Sequence, residues 1–118
     1  MKKNLLSFNQ FLYLIICLVI TLPKLALGST DNSLAYDIAK KNACLACHSV
    51  DKKIIGPAFK DIARKYQYSE NAEQFLLQRV RNGGAGVWGV VAMPANKNIS
   101  DQDAQKLIQW ILQQNKTN

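Results

Sequence analysis

The chain has 118 residues, 48% of them hydrophobic, and a formal net charge of +7. That length suits one small domain and excludes a multidomain assembly. No internal repeat or low-complexity segment interrupts it.

The first element is a leader. Lys2 and Lys3 precede an uncharged apolar run, FLYLIICLVITL, from Phe11 to Leu22, and Pro23 ends it. Ala26 and Gly28 then supply small residues at the two positions a signal peptidase reads. The order predicts a secretory signal over residues 1–28 and a mature domain over 29–118. The alternative is an uncleaved membrane anchor. The stretch Asn4–Pro23 is barely long enough to span a bilayer, and Asn4, Ser7, Asn9 and Gln10 weaken it. A lipid anchor is disfavoured because Ile16, not a small residue, precedes Cys17. Cleavage removes Lys2, Lys3 and Lys24 but no acid. The net charge becomes +4, and the remaining Cys, His and Met residues are Cys44, Cys47, His48 and Met93.

The mature chain reads as all-α, about four helices joined by irregular loops. Residues 33–43 open on Ser33, a good N-cap, and place Leu34 and Ile38 four apart. CLACH follows at 44–48. Residues 56–66, GPAFKDIARKY, put Pro57 in a first helical turn and Phe59, Ile62, Ala63 and Tyr66 on one face. Residues 70–82 align Ala72, Leu76 and Val80, and Gly83–Gly84 stops that helix. The segment 83–98, GGAGVWGVVAMPANKN, is a long loop that carries Met93; Val87–Val91 has strand character but no convincing partner. Loops of this length in compact domains are often functional. Residues 100–115 begin with Ser100-x-x-Asp103, a capping-box pattern, and continue with Ala104, Leu107, Ile108, Ile111 and Leu112 at helical spacing.

Closely spaced cysteines serve three chemistries. A thioredoxin-like redox pair needs a βαβ setting, and no strand-rich half is present. Structural zinc needs four N or S ligands; this chain offers three and would need a second chain for the fourth. The C-x-x-C-H string is the attachment signature of haem c. Two thiols add across the porphyrin vinyl groups, and the turn between them brings His48 to the iron. Met93 lies in a loop outside any amphipathic stripe, which favours a second axial ligand over a core filler. His/Met ligation is the arrangement of electron-carrying cytochromes.

CLACH, GPAFKDIARKY, QRVRNGGAGVWG and MPAN together resemble the small bacterial class I cytochromes c of the c-551 type, over about residues 36–114. The resemblance implies an all-α class I cytochrome c fold around one covalent haem c, its first and last helices crossing. It implies thioether links at Cys44 and Cys47 and axial ligation by His48 and Met93. It further implies that the Pro57 carbonyl accepts the His48 ring N–H, that Arg79 and Trp88 donate to a haem propionate, and that Asn96 hydrogen-bonds near the Met93 sulfur. The chain departs from the pattern at Val90, Val91 and Ala92, where relatives often carry prolines, and at Ala95, usually a second proline. The unfolded loop is correspondingly freer.

The expected function is that of a monomeric periplasmic one-electron carrier with no acid–base catalysis. The resemblance suggests redox partners such as a nitrite reductase, a terminal oxidase or an upstream cytochrome. Nucleic acid is not expected as a partner, and a membrane only if the leader stays uncleaved. Lys40, Lys41, Lys52, Lys53, Lys60 and Lys97 flank the motif segments and are expected to steer acidic partners.

Overall fold

Helix α1, Gly28–Lys41, opens the computed structural model, which describes residues 28–116. The predicted leader lies outside the described residues, except for Gly28. Asp31 in the first turn and Lys40 and Lys41 in the last complement the helix dipole. The helix begins before Ser33, so Ser33 is an interior residue and not the expected cap. The buried stripe also differs from expectation. Ala35, Ile38 and Ala39 face the core, whereas Leu34 is exposed. Small residues there let the backbone of α1 approach its neighbour closely. Asn42 closes the helix by donating from Nδ2 to the Ile38 carbonyl at 2.9 Å, and Ala43 turns the chain in the left-handed region, φ 58°.

A 3-10 turn, Cys44–Ala46, then leads to helix α2, Phe59–Tyr66. Pro57 lies outside α2, not in its first turn as expected, and the extended Ala58 is the N-cap. Segment 49–50 takes over the capping. The Ser49 carbonyl accepts from the Phe59 N–H at 2.9 Å, and the Val50 carbonyl from the Lys60 N–H at 3.0 Å. Two donors without intrahelical partners are thereby satisfied, and the Pro57 carbonyl is free to point elsewhere.

Helix α3, Ala72–Asn82, buries Ala72, Leu76 and Val80, the stripe that the spacing predicts. Gly83 ends it at φ 69°, its N–H bonded to the Arg79 carbonyl at 2.8 Å. Helix α4, Asp101–Gln113, starts at Ser100, whose Oγ accepts from the Asp103 N–H at 3.1 Å. A short 3-10 turn, Gln114–Lys116, continues it.

α4 is the hub against which α1, α2 and α3 all pack. Leu107 and Ile108 at its centre are each 1% exposed; burying such a side chain contributes about 1.5–3 kcal/mol. Trp110 joins the first and last helices. Its ring meets Tyr36 edge-on at 6.2 Å and Phe59 at 5.4 Å between centroids. The described residues thus form an all-α fold whose first and last helices pack together, with no strand. The segment Val87–Val91 is not a strand. Pairing stops at an isolated bridge between Gly84 and Met93, and Val90 is 95% exposed. Among the described residues, no helix is long and apolar enough to cross a membrane.

Candidate cofactor site

A cleft of about 590 Å³ opens between the CLACH turn, α2, α3 and the loop before α4. All eight residues singled out from the sequence line it: Cys44, Cys47, His48, Pro57, Arg79, Trp88, Met93 and Asn96. A second, more open depression of about 650 Å³ lies by Tyr36, Trp110 and Gln113 and contains neither thiol nor imidazole.

The 3-10 turn presents Cys44 and Cys47 as free, half-buried thiols. Burial pushes the Cys44 thiol above its ordinary range, opposed by its backbone hydrogen bonding and reinforced by the charge of Cys47. His48 follows, 8% exposed. Its Nδ1 lies 2.7 Å from the Pro57 carbonyl. A carbonyl only accepts, so Nδ1 carries a proton, and in the neutral ring Nε2 holds the lone pair. This is the tautomer a metal-binding imidazole needs, and such a partner orients the ring and raises its basicity. The ring also stacks on Phe59, with centroids 5.5 Å apart and planes at 15°. Phe59 packs on Trp110 in turn, so the imidazole is braced by the core.

Gly56 makes this arrangement possible and was given no role in the reading of the sequence. A Cβ there would lie 2.8 Å from His48 Nδ1 and 2.9 Å from Nε2. The glycine before Pro57 was the visible signal, but the ring that needs the space is eight positions back in the chain. The Gly56 N–H closes the segment on the Cys47 carbonyl at 2.8 Å.

Met93 is half-buried and packs against the core. Its backbone pairs twice with Gly84: its N–H donates to the Gly84 carbonyl at 2.9 Å, and its carbonyl accepts from Gly84 at 3.0 Å. Gly83 permits the approach, since a Cβ there would overlap the Met93 carbonyl oxygen. The paired glycines therefore do more than stop α3; they seat the methionine segment beside it.

The remaining wall mixes apolar and cationic groups. Arg79 lies over the Phe75 ring at 5.0 Å, and Tyr66 meets Phe75 at 5.4 Å. Burial pushes the Tyr66 hydroxyl above its ordinary range, partly offset by the positive charge of Arg79. Trp88 is 42% exposed. Asn96 donates from Nδ2 to the Asn42 carbonyl at 3.2 Å and from its backbone to the Val80 carbonyl at 2.8 Å. The side-chain bond ties the segment after Met93 to the end of α1, whose terminal carbonyls lack helical partners.

The donor set fits a covalently held haem. Two thiols, one imidazole whose Nδ1 is engaged by Pro57, one thioether and largely apolar walls converge on one cleft. Among the described residues, no group of three or more His, Cys, Asp and Glu could hold a metal ion by itself, which counts against the zinc alternative.

Comparison with known proteins agrees. The family model described as cytochrome c matches residues 34–115. The chain is 51% identical over 76 residues to cytochrome c-552 of Nitrosomonas europaea, covering 64% of this chain and 74% of that protein. It is 48% identical over 75 residues to cytochrome c-551 of Pseudomonas aeruginosa, covering 64% and 71%. The crystal structure of the Nitrosomonas europaea cytochrome c552 superposes with a TM-score of 0.65 at 49% identity, covering 67% of this chain and 98% of that one.

Proposed function

The chain belongs to the cytochrome c family, a monohaem electron carrier with one covalent haem c and no enzymatic role, and from that premise we propose that it is a periplasmic carrier whose haem iron is ligated by His48 and Met93. The observation that carries this reading is the His48–Pro57 hydrogen bond at 2.7 Å, in a cleft that also contains both thiols and the Met93 side chain.

A haem held in this cleft would supply one-electron chemistry at its iron. The residues around it have separable tasks. Cys44 and Cys47 anchor the group through thioethers. His48 donates from Nε2, its orientation held by Pro57 and Phe59. Met93 supplies a soft thioether, which favours ferrous iron and raises the potential. With both His48 and Met93 bound, no position would be open to a substrate. Arg79 and Trp88 are the donors for the propionates, and Asn96 holds the end of the methionine segment against α1.

Redox proteins are the partners, and Ile54, Ile55, Val90 and Val91 offer exposed aliphatic surface for contact. Ile55, Val90 and Val91 line the mouth of the cleft itself. Export by the 1–28 leader places the carrier in the periplasm, where haem c is attached.

The test is a redox-resolved absorption spectrum of the protein recovered from the periplasm. The expected result is a covalent c-type haem, low-spin in both oxidation states and shortened by the leader. A haem lost to acid–acetone extraction would refute the thioether assignment, and recovery only in the membrane fraction would refute cleavage.

A further inference from the structure

The last turn of helix α2 carries Arg64 and Lys65. Arg64 is paired with Asp61 on the same helix. Lys65 reaches across instead: its ammonium lies 5.5 Å from the centroid of the Trp88 indole, within the range of an attractive cation–π contact. Trp88 sits in the middle of the loop that begins at Gly84 and delivers Met93.

That loop has few other fixed points. Its base is the double backbone bond between Gly84 and Met93. Among the described residues, the backbone of 85–92 makes one further hydrogen bond, from Gly86 to Gly89, which is internal to the loop. Val90 and Val91 are 95% and 65% exposed. Residues 85–92 contain no proline that would stiffen the stretch.

We propose that Lys65 is a positioning residue: its cation over Trp88 clasps the loop to α2 and so limits how often Met93 leaves the cleft. The second half of this statement rests on the reading of Met93 as an axial ligand. A cation in the last turn of α2 also complements the helix dipole. That role acts on α2 and does not reach the loop.

The two roles separate in the haem-loaded protein carrying Lys65→Ala or Lys65→Arg. Hydrogen exchange of the bonded amides of Gly84, Gly86 and Met93 is followed by NMR, together with the rate at which imidazole displaces the native ligand. Loss of an exposed cation–π contact should speed loop exchange and imidazole entry in Lys65→Ala by about two- to fivefold. Lys65→Arg should restore both, and the α2 amides should be unchanged. Loop exchange equal to wild type, or an increase confined to α2, would overturn the clasp. Faster loop exchange with an unchanged imidazole rate would support the clasp and overturn the assignment of Met93 instead.

Discussion

At the scale of single residues, the site depends on side chains that are missing as much as on those present. Gly56 leaves the space that His48 occupies, with ring atoms under 3 Å from where a Cβ would be. Gly56→Ala must push the imidazole away from Pro57 or shift the backbone. Such overpacking costs about 1–3 kcal/mol. The expected outcome is a lower denaturation midpoint together with a higher reduction potential, because the histidine loses the carbonyl that raises its basicity, and a weaker donor stabilises ferric iron less. A variant that kept the wild-type potential would show that the His48–Pro57 bond does not tune the iron. His48 itself was legible, because C-x-x-C-H encodes three functions within five residues. Gly56 and Phe59 were not, because packing under a ring is a tertiary fact with no local signature.

At the scale of elements, α4 organises the rest. Its start is a side chain–backbone bond, Ser100 Oγ to the Asp103 N–H. Ser100→Ala should cost about 1 kcal/mol, a fall in Tm of about 4–8 °C for a domain of this size, with the absorption spectrum unaltered. A spectral change would mean that the cap also controls the methionine segment just before it. The periodicity of α3 and α4 showed their buried faces directly, since long amphipathic stripes survive folding intact. The ends of α1 and α2 were harder to read. Ser33 has the chemistry of a cap, yet the helix runs through it because Ala35, Ile38 and Ala39 pack against α4. Pro57 suits a first turn, yet the 49–50 segment caps α2 and leaves Pro57 free for His48. In both places a contact distant in sequence outweighed a local preference. The loop 84–92 was legible as irregular from its glycines, but its contact with Lys65 was not, since 23 positions separate Lys65 from Trp88.

At the scale of the whole molecule, charge and apolar surface together suit a protein that meets its partners briefly. Lys40, Lys41, Lys52, Lys53 and Lys97 are exposed, and Lys53 lies at the cleft itself. Lys60 is paired with Asp51 at 2.6 Å, which removes it from the steering set. Electron transfer to an acidic partner should therefore slow as ionic strength rises, and the Lys53→Gln variant should depend less on salt. A rate that is flat from low to high salt would reject steering. The proposed ligation is narrower: His48 and Met93 would close the iron on both faces. It is tested most directly by the ferric absorption spectrum of the wild type beside Met93→Ala, with azide added to each. The expected wild-type result is low-spin ferric iron with a methionine-to-iron charge-transfer band that azide does not readily disturb. In the variant, the expected result is loss of that band, ready azide binding and a haem still covalently attached. A wild-type protein that is high-spin and binds azide as readily as the variant would contradict it.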